Sequence, residues 1–250
     1  MDNQKEREHL IRDKYDGDSA ADLSKDLARL ENGEPLAYVI GWIPFLGLRI
    51  DLNSKPLIPR PETEAWTEDL HVRLKEKFGD APFTFLDLCA GSGAIGLSVL
   101  ASFPAARVRF SELVPEHARL IRKNIEENDL DASRATVHTG DLFAPFPEDQ
   151  TFDVIATNPP YVPEERALDA SVTGFEPAVA LYAGSDGLDL VRRIAAEAAD
   201  RLEPEGELWM ECDIENIEEA KELLLSSGAK EAMIRNDLYG RPRVCVGYYP

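Results

Sequence analysis

The residues of this chain best suited to chemistry stand together in one tetrapeptide, Asn158-Pro159-Pro160-Tyr161, directly after an apolar stretch at 152–157. The side-chain oxygen of Asn158 and the carbonyl of Pro159 can accept both N–H hydrogens of one nitrogen. The paired prolines restrict φ and bring no competing N–H donor, and Tyr161 offers a face on which a planar group can stack. The tetrapeptide is therefore suited to holding a planar amide or amine nitrogen.

The chemistry that such a grip assists is transfer of a methyl group to that nitrogen. An amide nitrogen is a poor nucleophile because its lone pair is delocalised, and it attacks in line only when its N–H bonds are held out of the way. No strong base is needed, since the proton is lost only after transfer has made the nitrogen acidic. The rate gain then comes from orientation and preorganised electrostatics. The simpler alternative is an Asn-Pro turn at a strand end, which would not explain the loop that lies upstream.

That upstream loop is rich in glycine, occupies residues 87–96, and separates an apolar run from a helical pattern. Small residues let the backbone approach a ligand closely, and the start of a helix presents free N–H groups. Gly91, Gly93 and Gly96 meet the G-x-G-x-x-G spacing of a dinucleotide site, so the loop alone does not separate a dinucleotide from a methyl donor. The loop residues that we expect to bind the cofactor are Cys89, Ala90, Gly91, Ser92 and Gly93.

Carboxylates near the loop favour S-adenosylmethionine as the cofactor. Asp87 stands just before the loop, where it would repel a pyrophosphate but attract an amino group or a sulfonium. Glu112 ends the next predicted strand, 25 residues later, where a carboxylate can hold both ribose hydroxyls. Asp141 follows the third strand and could accept a hydrogen bond from an adenine amino group while Leu142 covers the ring. The simpler alternatives are a solvated strand end for Asp87, a helix cap for Glu112 and an ordinary turn for Asp141.

The charge balance bears on the partner. Of 250 residues, 27 are basic and 47 acidic, so the net charge is −20. Such a field repels the phosphate backbone of DNA or RNA and favours a basic protein partner, although acidity also aids solubility by itself. We therefore expect a protein substrate and no direct nucleic-acid contact. Separately from the charge, we expect a monomer.

Metal, disulfide and membrane roles are not predicted. Cys89, Cys212 and Cys245 lie far apart without a C-x-x-C pair, and the 4 histidines form no ligand spacing with them, which argues against a zinc site or a disulfide framework. No apolar run reaches the roughly 18 residues that cross a bilayer, and the N-terminus has no apolar signal core. The cytoplasm is the expected compartment.

The order of predicted elements indicates the fold. From residue 83 the pattern alternates strand and helix, which predicts a parallel sheet covered by helices on both faces. Two closing strands at 232–236 and 243–248 have no helix between them, so we expect an antiparallel hairpin there. The predicted class is α/β, a Rossmann-like, mostly parallel sheet of the class I S-adenosylmethionine methyltransferase type. We divide the chain into a helical segment at 1–33, a β-hairpin linker at 34–62 and a methyltransferase domain at 63–250.

Some local predictions are more specific. The helical segment predicts one or two short helices broken near residues 16–18, and residues 35–52 predict a hairpin with its turn near Pro44. Three prolines between 56 and 61 forbid a regular helix there, so the next helix is predicted from about Thr63 to Phe78. A further helix is predicted at 214–226.

Taken together, these residues resemble the HemK-type glutamine N5-methyltransferases that modify peptide-chain release factors. The resemblance covers roughly residues 34–250. The tetrapeptide and the loop are shared with DNA and RNA amino-methyltransferases. The segments at 57–64 and 175–188 are typical of a much narrower group of proteins. The other matching segments are 140–143, 158–163 and 237–243.

The resemblance implies a substrate and a set of contacts. The substrate would be the glutamine in the Gly-Gly-Gln loop of a release factor, with its amide gripped by the tetrapeptide. Residues 89–93 would hold S-adenosylmethionine together with Glu112, Asp141 and Leu142. Thr63 would lie near the methionine end of the cofactor, which Asn158 would also border. Glu176 and Pro177 would shape the substrate mouth.

The chain departs from the family pattern in several places. Cys89 stands where the loop usually has its first glycine, and Glu112 stands where aspartate is commoner. The stretch 211–213, Glu-Cys-Asp, replaces one that usually contains glycine. The helical segment is shorter than the N-terminal domain that helps the family dock release factors, which affects partner choice more than chemistry.

Other functions explain the residues less well. An enzyme acting on the amino group of a DNA or RNA base shares the tetrapeptide chemistry, but it needs base flipping and a basic groove. A non-enzymatic cofactor-binding module would predict loss of the tetrapeptide, which is intact. A nicotinamide oxidoreductase explains neither Asp87 nor the tetrapeptide.

Overall fold

A computed structural model describes residues 3–250 of the chain. Its centre is a seven-stranded sheet in the order β5-β4-β3-β6-β7-β9-β8, in which β3 to β7 pair in parallel and β9 pairs antiparallel with both β7 and β8. The predicted fold class and the closing antiparallel hairpin are therefore confirmed. The strands are β3 (Phe83–Leu88), β4 (Ala106–Glu112), β5 (Ala135–Thr139), β6 (Phe152–Thr157), β7 (Leu202–Glu211), β8 (Glu231–Asn236) and β9 (Pro242–Tyr248).

Helices cover both faces of this sheet, because side chains alternate between the faces along each buried strand. On β3, Phe85 belongs to a core formed with α4, α5 and α6, and its neighbour Leu86 belongs to a second core formed with α8 and α9. The helices of the two layers are α4 (Pro61–Phe78), α5 (Ala94–Ser102), α6 (Pro115–Glu127), α8 (Asp189–Arg201) and α9 (Ile217–Ser226); a short α7 (Ala170–Thr173) lies in the connection after β6.

The N-terminal part folds around a small core of its own. Helix α1 (Asn3–His9) continues into one wider turn at Leu10–Lys14, and α2 (Ser24–Glu31) follows. Asp16 and Gly17 lie between these two helical segments and both have positive φ, so the predicted break is confirmed. The core residues are Leu10, Leu23, Leu30 and Val39.

The predicted hairpin is present, but the position of its turn was wrong. It consists of β1 (Trp42–Phe45) and β2 (Leu48–Asp51), after an unpredicted short helix α3 (Leu36–Ile40). Phe45 pairs with Leu48, so the turn is Leu46-Gly47, where both φ angles are positive as a tight hairpin loop requires. Pro44 lies inside β1, where a two-stranded sheet tolerates a residue without an N–H.

The hairpin is tied to the large domain through Asn124 on α6, which is fully buried. The Asn124 side chain accepts a hydrogen bond from the Asp51 N–H at 2.8 Å and donates to the Ser92 carbonyl at 3.0 Å. Lys123 adds an ion pair with Asp51 at 2.6 Å. One amide thus connects the hairpin to the glycine-rich loop and helps to hold both in place.

Two helix starts differ from the predictions. Helix α4 begins at Pro61 rather than near Thr63, because proline suits the first turn of a helix. Helix α9 begins at Ile217 rather than Ile214, because the Asp213 carboxylate accepts the Glu215 N–H at 2.9 Å and forms a turn there.

Gly96 is where α5 packs most closely on the sheet. A Cβ atom at this position would lie 2.4 Å from the Phe110 ring and 2.9 Å from the Asp87 Cβ. We expect Gly96→Ala to lower the free energy of unfolding by about 1–3 kcal/mol through overpacking, measured as the denaturant midpoint. Ser102→Ala, at an exposed site on the same helix, is the control. Equal stability of the two variants would contradict this packing argument.

Candidate active site

A cavity of about 500 Å³ opens beside the carboxyl ends of β3, β4 and β6. In open α/β sheets this edge is where ligands bind. Ten of the residues predicted for the site line the cavity. The other six do not, and they are Asp87, Gly93, Pro159, Tyr161, Glu176 and Pro177. The ten are Thr63, Cys89, Ala90, Gly91, Ser92, Glu112, Asp141, Leu142, Asn158 and Pro160.

The glycine-rich loop takes an alternating backbone path. Cys89, Gly91 and Gly93 have φ of 58°, 55° and 83°, the left-handed region that glycine tolerates best. The loop's own contacts fix this path, since the Gly91 N–H donates to the Glu112 carboxylate and the Gly93 N–H to the Ala90 carbonyl. Cys89 therefore carries strain that the family's usual glycine would avoid. Burial raises the pKa of its thiol to about 12, so the thiol stays neutral.

Glu112 is held with both carboxylate oxygens in use. It accepts the Gly91 N–H at 2.7 Å and the Val114 N–H at 2.8 Å, so it fixes the loop as well as lining the cavity. Burial raises the pKa of Glu112, and the two backbone N–H groups oppose that shift. Each oxygen keeps a lone pair for another donor, as the prediction of ribose hydroxyl binding requires.

Asp87 lies behind the loop instead of facing the cavity. Its Oδ2 accepts the Gly96 N–H at 2.8 Å, and its Oδ1 is buried without a hydrogen-bond partner. Burial raises the pKa of Asp87 well above its usual value. A carboxyl group that is driven toward its neutral form attracts a cation weakly, so the geometry assigns Asp87 to supporting the loop and the start of α5.

Asp141 and Leu142 sit where β5 leads into the cavity wall. Leu142 is buried with a φ of 47°, and the Ser111 hydroxyl donates to its carbonyl. The Asp141 side chain is half-exposed and pairs with Arg193 at 2.7 Å. An apolar wall beside an accessible carboxylate is suited to an aromatic ring that carries an amino group. Arg193 lines the same cavity and was not predicted.

The tetrapeptide meets the start of α4 across the cavity. The Asn158 Nδ2 donates to the Thr63 Oγ1 at 3.2 Å, although the two residues are 95 positions apart in the chain. Pro159 and Pro160 are buried. The Tyr161 hydroxyl donates to the Glu211 Oε1 at 3.0 Å, and burial raises the pKa of Tyr161 well above its usual value. The tyrosine is thus anchored at its hydroxyl end.

Glu176 shapes the site indirectly. Its buried carboxylate accepts the Ile58 N–H at 3.1 Å and pairs with Arg60 at 2.6 Å. These contacts join the proline-rich segment before α4 to the connection after β6. Leu57 and Val179, from the two joined segments, line the cavity, so Glu176 holds two sides of its wall together.

Glu211 is the most central residue that the sequence did not predict for the site. It is 1% exposed and accepts hydrogen bonds from Thr63, Trp66 and Tyr161. Burial raises its pKa, against the effect of those donors and of Arg243. Its sequence signal was only that it is the first residue of the atypical stretch 211–213, at the end of a strand. Periodicity cannot show that such a residue faces Thr63.

Comparisons with known proteins identify the family. The profile of the methyltransferase small domain matches residues 68–175. The release factor glutamine methyltransferase of Bordetella pertussis is 37% identical over 88% of this chain and 80% of its own length. The Caulobacter vibrioides protein of the same name is 32% identical over 96% of this chain and 83% of its own.

The chain belongs to the release factor glutamine methyltransferase family. It is an S-adenosylmethionine-dependent methyltransferase, as the tetrapeptide and the loop predicted. Solved structures agree on the fold. A methyltransferase from Pyrococcus furiosus has a TM-score of 0.58 at 19% identity, covering 90% of this chain and 98% of its own. The 16S rRNA N2 G1207 methyltransferase of T. thermophilus has a TM-score of 0.61 at 21% identity, covering 84% of this chain and 50% of its own.

Within residues 3–250 no group of three or more His, Cys, Asp or Glu side chains is arranged to hold a metal ion. No helix in the same range is long and apolar enough to cross a membrane.

The cavity fits S-adenosylmethionine by its donor and acceptor chemistry. It combines small loop residues that allow close approach, an acceptor carboxylate at Glu112 and an apolar wall. Since burial raises the pKa of Glu112, this group takes up its proton at a higher pH than an exposed glutamate. Cofactor affinity should therefore be full above that raised pKa and fall as the pH drops through it.

Calorimetric titration with S-adenosylmethionine over a series of pH values checks this prediction. Glu112→Gln should bind more weakly at high pH and lose most of the pH dependence. Asp141→Asn, which alters the half-exposed carboxylate of the same cavity, should keep it. Identical pH dependence in the Glu112→Gln variant and the wild type would contradict the role given to Glu112.

Proposed function

We propose that this protein transfers the methyl group of S-adenosylmethionine to the side-chain amide nitrogen of the glutamine in the Gly-Gly-Gln loop of a peptide-chain release factor. The observation that carries the proposal is the placement of Asn158. It lines the cofactor cavity and is tied to Thr63 at 3.2 Å. Membership of the family supports the choice of a release factor as the substrate.

The residues of the chain then have separate tasks. The Asn158 Oδ1 and the Pro159 carbonyl accept the two N–H hydrogens of the substrate amide, and Tyr161 supports its plane. This grip turns the nitrogen lone pair toward the cofactor. Bound S-adenosylmethionine supplies the methyl group. The new N–C bond forms as the S–C bond breaks, and the nitrogen then releases a proton to water.

The cofactor would be held by the lining residues described above. The small residues of the loop at 89–93 and the Glu112 carboxylate face its polar parts, and Asp141 with Leu142 receives the adenine. Thr63 and Asn158 border its methionine end. Glu176 and Pro177 keep the mouth in shape. The chain is divided in this proposal into segments 1–33, 34–62 and 63–250. The first two help to dock the protein partner, and the third carries out the methyl transfer.

The environment proposed for the reaction follows from charge. A net charge of −20 favours a protein substrate over nucleic acid, since phosphates would be repelled. We propose a monomer that acts in the cytoplasm, where release factors work. Methylation of a base amino group in DNA or RNA shares the tetrapeptide chemistry and is the alternative reaction.

The direct test is transfer of a labelled methyl group from S-adenosylmethionine to a purified release factor. We expect labelling of the wild-type release factor and none of a variant whose Gly-Gly-Gln glutamine is alanine. DNA and RNA in parallel reactions should stay unlabelled. Equal labelling of the alanine variant, or labelling of nucleic acid in place of protein, would refute the proposal.

Removing the Asn158 side chain should affect turnover more than cofactor binding. Asn158→Ala should raise the barrier by about 2–4 kcal/mol, as loss of one preorganised polar contact does, and change the calorimetric affinity for S-adenosylmethionine little. Asn128→Ala removes a similar side chain that holds the hairpin at Arg49 and should leave kcat unchanged. Lost cofactor affinity with normal turnover would show that Asn158 has a different role.

A further inference from the structure

We propose that Glu211 is a positioning residue: as a hydrogen-bond acceptor it determines, through Thr63, which atom of the Asn158 amide faces the substrate. The inference deepens the proposed function and rests on it. It depends on the direction of each hydrogen bond in a short series of side-chain contacts that runs from Glu211 through Thr63 to Asn158.

This series of hydrogen bonds starts at the Glu211 carboxylate. The Glu211 Oε2 receives the Trp66 Nε1–H at 2.7 Å and lies 2.7 Å from the Thr63 Oγ1. An indole N–H can only donate, so this oxygen acts as an acceptor. The Tyr161 hydroxyl donates to the other oxygen at 3.0 Å. The Thr63 hydroxyl donates its single hydrogen to Oε2, so that hydrogen is not available to any other neighbour.

The consequence passes to Asn158. Because the Thr63 hydrogen points at Glu211, the Thr63 oxygen can only accept from its other neighbour. That neighbour is the Asn158 side chain, which must therefore present its NH2 group at 3.2 Å. The Oδ1 is then left free on the other side of the amide. This is the atom that must accept a substrate N–H.

Without an acceptor at 211, the opposite arrangement becomes available. The Thr63 hydroxyl could donate to the Asn158 Oδ1, and the amide could turn by 180° about its terminal bond. The NH2 group would then face the substrate nitrogen, which also carries hydrogens. Two donors cannot pair, so the grip on the amide would be lost while the fold stayed the same.

The surroundings of Glu211 are consistent with an acceptor. Arg243 on β9 is a cation that faces it, and Tyr161 after β6 and the adjacent Cys212 are titratable neighbours. Trp66 and Thr63 on α4 supply its remaining contacts. The carboxylate therefore lies at the meeting point of three separate parts of the site, and one residue orients the tetrapeptide relative to α4.

The chain offers a close control in Glu207. It lies on the same strand β7, is also 1% exposed, and also accepts an indole N–H, from Trp209 at 3.1 Å. Its other oxygen pairs with Arg73 at 2.7 Å, and it does not line the cavity. Glu207 thus matches Glu211 in residue type, exposure and indole contact, but it is ion-paired and has no connection to Thr63.

The test compares Glu211→Met, Glu211→Gln and Glu207→Met with the wild type in the release-factor labelling assay. Methionine cannot accept from Thr63, whereas the glutamine oxygen can. We expect kcat of Glu211→Met to fall about 10- to 100-fold, as when a residue that orients an active-site ligand is lost, with the affinity for S-adenosylmethionine nearly unchanged. Glu211→Gln should recover most of kcat, and Glu207→Met should change thermal stability only.

Two results would overturn the inference. Equal kcat losses in Glu211→Gln and Glu211→Met would mean that the charge, and not the acceptor, is what matters. Unchanged kcat in a folded Glu211→Met protein would mean that Asn158 is oriented by other contacts. Thr63→Val combined with Glu211→Met should be no worse than the more damaging single change, because both act through one contact.

A second measurement separates this inference from the proposed function. The side-chain NH2 resonances of Asn158, assigned with an Asn158→Asp variant, report its hydrogen bond in the absence of any release factor. They should shift in Glu211→Met and stay in place in Glu211→Gln and Glu207→Met. If the wild type labels no release factor, the proposed function fails. If the resonances are the same in all variants, the role of Glu211 fails.

Discussion

The site depends on one row of the parallel sheet. Leu88 of β3 pairs with Ser111 of β4 on one side and with Thr157 of β6 on the other, and Thr157 pairs in turn with Met210 of β7. Because parallel strands run in the same direction, the residue after each of these lies at the same edge. Those residues are Cys89, Glu112, Asn158 and Glu211.

This register explains why residues far apart in the chain act together. A shift of one residue in any pair would turn the side chains to the other face of the sheet and would move a functional group away from the cavity. The helices that cover both faces hold the register, since they bury alternate residues of each strand in two separate cores. The chemistry therefore rests on ordinary packing far from the cavity.

Buried carboxylates are the second common feature of the site. Glu112, Glu176 and Glu211 are nearly inaccessible, and each accepts at least two hydrogen bonds from the chain. Burying a charge is costly unless it is paired or hydrogen-bonded, so each acid fixes the groups around it. Glu112 fixes the loop, Glu176 the mouth, and Glu211 the contact between Thr63 and the tetrapeptide.

The sequence by itself determined the fold class, most strand positions and the residues of the tetrapeptide and the loop. These depend on local pattern, since periodicity, glycine spacing and proline placement act within a few residues. It did not determine the hairpin turn at Leu46-Gly47, because a proline inside a short strand looks like a turn. Only the tertiary structure placed Asp87 behind the loop and joined Glu211 to Thr63 and Tyr161. The two contacts of Glu211 span 50 and 148 residues. They follow from strand register, which local pattern does not encode.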